Sequence, residues 1–312
     1  LLLLLGSFCY LPGAGQPALP VWDLLEGSAS EQQQLIWQQL RLPRLLMALL
    51  AGAALALCGA LMQLLTRNDL ADPYLFGVVA GAGLGATLSS LWFPHWQLGL
   101  PLAAFAGAAV VLLLVLLLSG RLRSNTLLLV GIAMSFAASS LTSLLLYQAD
   151  AFAANRIVFW LMGSLARPSW LAVNLLASAL LITVLLCVLA RRQLRALAWS
   201  EQMAESLGVR TWWWRSLFLT ACALLCALVV SFCGGIGFIG LMMPHIAQRL
   251  FGSQLLAVLL GSAGCGALFL LWTDHAARTL WPPQELPLGV LTALAGSLFF
   301  LLILFTKQRQ YE

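Results

Sequence analysis

Ala190–Arg215, ARRQLRALAWSEQMAESLGVRTWWWR, is a polar interval between two long apolar runs, Trp170–Ala190 and Trp214–Cys233. It holds Arg191, Arg192, Arg195, Arg210 and Arg215, five of the sixteen Lys and Arg residues of the chain. Glu201 and Glu205 stand among them, and Glu201–Gly208 reads as a short helix stopped by a glycine. The flanking runs are each long enough to cross a bilayer, which takes ~20 apolar residues. The interval is therefore a water-exposed elbow between two spans, and the rest of the chain reads outward from it in the same way.

Of the 312 residues, 62% are hydrophobic and 9% charged, with a mean hydropathy of +0.95. Soluble domains carry about 25% charged residues, so this composition excludes one. A net charge of +5 points here to basic loops on one side of a membrane rather than to nucleic acid. The seven cysteines, Cys9, Cys58, Cys187, Cys222, Cys226, Cys233 and Cys265, lie mostly in apolar runs without a CxxC pair. They read as small packing residues, and no motif has metal-ligand spacing.

Ten apolar segments can be counted, for an all-α polytopic bundle of about ten transmembrane helices. They are Leu1–Pro12, Leu45–Leu65, Pro73–Phe93, Leu98–Leu118, Thr126–Tyr147, Trp170–Ala190, Trp214–Cys233, Ile236–Leu250, Leu255–Leu280 and Leu286–Phe305. The opening LLLLLGSFCYL reads as a first span clipped at its start. With the N-terminus inside, inner loops hold Arg67, Arg121, Arg123, Arg191, Arg192, Arg195, Arg210, Arg215, Arg249, Lys307 and Arg309. Outer loops hold Arg41, Arg44, Arg156, Arg167 and Arg278, and eleven against five sets the orientation, with both termini cytoplasmic. The elbow faces the cytoplasm, and Val21–Arg44 faces outward with a short surface helix and Trp22 and Trp37 at the headgroup layer.

Small residues recur inside the spans: Gly52, Ala56 and Gly59 in the second, Gly77, Gly81 and Gly85 in the third. The last three lie four apart, a stripe where a neighbouring backbone can approach. No linker or low-complexity tract divides residues 1–312, so a single membrane domain is expected.

The chain lacks a nucleotide-hydrolysing loop. Its single lysine, Lys307, is followed by Gln308 instead of Ser or Thr. Asp274 and Arg278 are four apart on one helix and can pair, or Arg278 can reach outward. His95, His245 and His275 are isolated. Arg41 and Arg44 flank a proline in RLPR, and arginine suits bidentate carboxylate capture; interface anchoring is the plainer alternative. Breaks at Asn68–Pro73, Gly234–Gly240, Pro244 and Pro282–Pro287 put irregular backbone near membrane depth. That is tolerated where protein or a water-filled cavity receives it, which suggests a transport path.

These residues resemble a known family. RLPRLLMALLAGAALALCGALMQLLTRNDLADP, GVVAGAG, GGIGFIGLMMPHIAQRL and ELPLGVLTALAGSLFFLLIL are similar to the permease subunits of type II ATP-binding-cassette importers, which take up vitamin B12, ferric siderophores and haem. The resemblance runs from about Arg41 to Thr306. It implies a permease of the bacterial inner membrane that is not itself an enzyme and binds no cofactor, with ATP and Mg on a partner ATPase. The implied partners are a second permease copy in a homodimer, two ATPase subunits and a periplasmic substrate-binding protein.

Residue by residue, the resemblance makes residues 191–213 the coupling segment, with Ser200, Glu201, Ala204, Glu205, Leu207 and Gly208 seated in the ATPase. It assigns Arg41, Arg44 and Arg278 to docking of the binding protein, and Ser124, Asn125 and Thr126 to a cytoplasmic gate. The family usually reads RNPLA where this chain has Asp69 in place of the proline. Val79 and Ala80 replace a polar Ser-Asn pair, which leaves a ferric chelate or haem at least as well matched as cobalamin. From the residues alone an ion-gradient-driven secondary transporter remains open, although it would favour paired acidic residues in mid-span.

Overall fold

A computed structural model describes residues 30–93, 96, 99–119, 124–199 and 201–308. The described residues form helices and turns without a strand. Six helical stretches are long and apolar enough to cross a membrane, and three shorter apolar helices join them.

Helix α1 (Glu31–Ile36) starts with a capping box, in which the Ser30 hydroxyl accepts from the Gln33 amide and the Gln33 side chain accepts from the Ser30 N–H. A π-helical stretch, Trp37–Arg41, carries the helix without interruption into α2 (Leu42–Thr66). The expected surface helix and second span are thus one rod of 36 residues. It ends at Arg67, whose φ of 51° turns the chain out of the helix. The Asn68 side chain then accepts from the Leu70 amide at 2.9 Å, closing the turn without the proline that the sequence lacks.

A 3₁₀ turn, Pro73–Phe76, leads through Gly77 (φ 78°) into α3 (Val78–Trp92). There follow α4 (Gly99–Ser119), α5 (Ser124–Gln148), α6 (Ala151–Leu161) and α7 (Trp170–Leu189). The elbow comes next as α8 (Arg191–Trp199) and α9 (Glu201–Ser206). The chain then continues through α10 (Thr211–Cys233), α11 (Ile239–Phe251), α12 (Leu255–Thr279) and α13 (Leu288–Gln308). Nine of the ten expected segments coincide with these helices, while Leu1–Pro12 lies outside the described residues. Helix α6 was expected as loop. Asp150 caps it, accepting from the amides of Phe152 and Ala153, both at 2.9 Å.

The rod α2 is the most buried of the spans and packs on α12, α11, α10 and α7. Glycines set those distances: a Cβ on Gly52 would lie 2.1 Å from the Gly266 oxygen of α12, and one on Gly59 2.0 Å from the Gly240 oxygen of α11. Likewise a Cβ on Gly85 would lie 2.0 Å from the Ala103 oxygen of α4, so the expected glycine stripe does bring α3 and α4 together. Gly77, at the head of that stripe, also serves as the positive-φ entry to α3, and a Cβ there would lie 2.8 Å from the Val111 side chain of α4. By contrast α7 turns Leu181, Ile182, Leu185 and Leu189 outward, the surface a span offers to lipid.

Candidate functional site

Three constellations draw on the residues singled out above. The first lies at the end of the bundle where α2 begins and α12 ends. Arg44 donates from Nε and Nη2 to Asp274 Oδ1 at 3.0 and 2.8 Å. Its Nη1 and Nη2 donate to Glu285 Oε1 and Oε2, each at 2.9 Å. Arg278 Nε lies 3.3 Å from Asp274 Oδ2, so the i,i+4 pair expected from sequence is present. Asp274 is 1% exposed and Glu285 42%; one carboxylate is interior and the other faces water. The Arg44 guanidinium holds the Glu285 carboxyl below its usual range against the opposing effect of burial. Pro43, beside Arg44 in the first turn of α2, is buried.

The sequence brings Arg44, Asp274 and Arg278 into view, yet it does not show that Arg44 is turned inward onto Asp274. Glu285 was missed. Its signal was its place in PPQELP, a break beside a span already carrying Asp274 and Arg278.

The second constellation is where three helix breaks meet. The Leu288 and Gly289 amides, at the start of α13, donate to the oxygens of Gly163 and Met162 at 3.1 and 2.9 Å. The Ser164 amide donates to Cys233 O at 2.8 Å, tying the end of α6 to the end of α10. Such cross-linking satisfies backbone groups that no helix uses. Gly163, Gly234 and Phe238 take positive φ angles of 77°, 70° and 68° here. Only the first two are glycines. Phe238 bears the strain of that conformation, and a Cβ on Gly296 of α13 would overlap its ring.

A cavity of about 580 Å³ opens over this junction, walled by Tyr74, Met162, Gly235, Phe238, Val290 and Ser297 among others. Of the expected breaks, Gly234–Gly240 supplies Gly235, Gly237 and Phe238 to its wall, whereas Pro282–Pro287 contributes none of the lining residues. Nearby, Arg156 of α6 donates to the hydroxyl and carbonyl of Ser90, holding α6 against the end of α3.

The third constellation is the elbow. Helix α8 buries Leu194, Ala196 and Leu197 and exposes Arg191, Arg192 and Arg195, a two-faced pattern. Helix α9 is closed by Gly208 (φ 76°), whose amide donates to Glu205 O at 2.9 Å, while the Val209 amide donates to Ala204 O at 3.0 Å. Glu205 Oε1 accepts from the Thr211 hydroxyl at 3.1 Å, fastening α9 to the start of α10. Ala204 is fully buried, whereas Met203, Leu207, Trp199, Trp212 and Trp213 are exposed. An apolar tip on a basic, rigid elbow is a surface made for contact. Met203 and the tryptophans had not been picked out.

Ser200 lies outside the described residues. Ser124, Asn125 and Thr126 form the first turn of α5. Arg41, the last residue of the π-helical stretch, lies close enough to Arg278 for the two positive charges to act on each other, so three arginines cluster at the opposite end of α2 from the elbow. Beside the elbow a second cavity of about 430 Å³ is lined by Gln63, Asp69, Arg195, Trp199, Gln248 and Gln254 among others. Among the described residues every cysteine is free, and no three His, Cys, Asp or Glu residues gather as a metal site.

Comparison with known proteins places this arrangement. The FecCD transport family matches residues 1–306. A siderophore transport system permease, YfhA of Bacillus subtilis (strain 168), is 35% identical over 305 residues, covering 94% of this chain and 89% of that protein. The vitamin B12 import system permease BtuC of Salmonella typhimurium is 40% identical over 281 residues, covering 88% and 84%. Among solved structures, an inward-facing conformation of a metal-chelate type ABC transporter superposes with a TM-score of 0.88 at 32% identity, covering 98% of this chain and 97% of that one. With the match spanning nearly its whole length, the chain belongs to the FecCD transport family.

Proposed function

We propose that this permease passes a metal chelate of the ferric siderophore, haem or cobalamin class inward through a seam between two copies of itself. The chain is a permease subunit of an ATP-binding-cassette importer. The observation that carries the finer reading is the elbow: a short helix, locked by Glu205–Thr211 and closed at Gly208, presents an apolar tip beyond the ends of the spans. A rigid element of this kind transmits closure of two ATPase subunits as a rigid-body shift. Ser200, Glu201, Ala204, Glu205, Leu207 and Gly208 form the seat, and ATP with Mg is bound by the ATPase.

At the opposite end, Arg41, Arg44 and Arg278 receive a periplasmic binding protein through its acidic residues. Three arginines against Asp274 and Glu285 leave that patch with an excess positive charge. The seam itself is supported by α5, which exposes Ser139, Ser140 and Ser143 together with Phe136 and Leu144. Hydroxyls on a span suit a lined path better than lipid. Ser124, Asn125 and Thr126, at the other end of that helix, serve as the gate. The N- and C-termini then lie in the cytoplasm, on the elbow side of a bacterial inner membrane.

Reconstitution tests this. Uptake into proteoliposomes should need the permease, the ATPase, ATP and the loaded binding protein together; uptake by the permease alone down an ion gradient would reject it. Charge reversal at Arg41 should weaken docking of the binding protein while the fold persists, and unchanged affinity would reject the docking assignment.

A further inference from the structure

The turn between α2 and α3 is a sequence break whose role the functional reading leaves unused. Asp72 and Tyr74 make it more than a connection. The Asp72 carboxylate is buried and its Oδ1 accepts from the Tyr74 amide at 2.8 Å, which fixes the start of the 3₁₀ turn. Its other oxygen lies against the first turn of α11, 3.2 Å from where a Gly240 Cβ would be. A carboxylate beside a helix N-terminus is favourably placed. The Tyr74 side chain then crosses to the irregular segment between α10 and α11, where its hydroxyl accepts from the Ile236 amide. Its ring lies 3.8 Å from the Cβ position of Gly237, an ordinary packing distance, so the ring lies alongside the segment.

One short turn therefore holds the Ile236 end of the Ile236–Gly240 segment through Tyr74 and packs against its Gly240 end through Asp72. That segment contains Phe238 in its strained αL conformation and supplies Gly237 and Phe238 to the cavity wall, beside Gly235. Strain persists only where surroundings over-determine the backbone. Here the other supports of the segment are the backbone hydrogen bonds from Ser164 to Cys233 O and within α11, and the Gln63 side chain of α2, whose Nε2 donates to Gly240 O at 3.2 Å. The Ile236 amide has the Tyr74 hydroxyl as its acceptor, and an amide left unpaired in such a place is costly.

We propose that Tyr74, oriented by Asp72, is a positioning residue for transport, pinning the α10–α11 break so that the cavity keeps the wall that cargo passes. The proposal rests on the reading of that cavity as part of the path. It also makes the turn a mechanical link: α2, which runs from the arginine cluster to the elbow side, ends in the turn that holds the break.

Hydrogen–deuterium exchange on the full chain in lipid nanodiscs tests the clamp without any cargo. In the native protein the Ile236 amide should exchange more slowly than its neighbours Gly235 and Gly237. In Tyr74→Phe, which keeps the ring and removes the acceptor, Ile236 should exchange roughly ten-fold faster, the scale a single hydrogen bond sets. A cysteine at Val79, on the cavity wall facing Gly235, should at the same time become more reactive toward a maleimide. Unchanged exchange and reactivity in a folded Tyr74→Phe protein would overturn the proposal. If that variant does not fold, an unprotected Ile236 amide in the native protein overturns it alone, and a protected one supports it. Failure of the path reading looks different: a bulky Ser297→Trp substitution would leave uptake of the natural chelate unimpeded whatever Ile236 does.

Discussion

Arg44 and Asp274, 230 positions apart in sequence, are joined by a guanidinium–carboxylate pair at 2.8 Å, with Asp274 almost sealed from solvent. The pair locks the start of α2 to the end of α12, two helices that approach closely through Gly52 and Gly266. Its energetics are asymmetric. A buried pair contributes little net stability over an apolar substitute, yet removing one partner strands the other charge.

Arg44→Ala should therefore destabilise the protein by about 3–5 kcal/mol, with Asp274 left buried and only Arg278 beside it. Arg44→Met combined with Asp274→Leu and Arg278→Met, which strands none of the three charges, should recover most of that loss. Thermal unfolding in detergent measures both. Equal destabilisation by the single and triple variants would show that the charges were not acting together.

Glu285 gives the cluster a pH dependence. Its folded-state pKa is depressed by Arg44, so its contribution is fully present above the unfolded carboxylate value and is lost as pH falls through the folded one. The carboxylate is half in water, which limits the effect to roughly 1 kcal/mol or less. Melting curves of the native protein and Glu285→Gln should differ at neutral pH and converge below the ordinary carboxylate range. A gap that widens on acidification would contradict the assignment. The same variant frees the outer fork of Arg44, so it should also strengthen docking of an acidic partner.

Much of this was legible in the sequence because hydrophobic run length and small-residue spacing are local signals. The runs mark nine of the helices, the four-residue step from Gly81 to Gly85 marks the α3–α4 contact, and Asp274 with Arg278 marks an i,i+4 pair. Helix α6 was missed since its 11 residues are too short to span and carry Asn155 and Arg156. Arg44–Asp274 and Tyr74–Ile236 were hidden for another reason: they depend on which helices become neighbours, and hydropathy does not encode that. The convergence of three breaks on Gly163, Cys233 and Leu288 belongs to the same kind.

The glycine contacts make a paired prediction. Gly59→Ala puts a methyl group into the Gly240 backbone and should cost about 1–3 kcal/mol or more, since neither helix can yield locally. Gly264→Ala, on α12 with nothing within 4 Å, should be neutral or gain up to about 1 kcal/mol from helix propensity. Thermal stability of the two variants checks this, and equal effects would mean the α2–α11 approach is looser than described.

The measurement that bears most directly on the account is the amount of chelate moved per ATP hydrolysed when the elbow is altered. In proteoliposomes holding permease, ATPase and binding protein, Glu205→Ala releases α9 from Thr211, and Gly208→Val forces a β-branched residue into a positive-φ position. Each should lower that ratio by about ten-fold or more while ATP hydrolysis continues. A ratio equal to that of the native transporter in both variants would mean that nucleotide-driven force enters the bundle somewhere else.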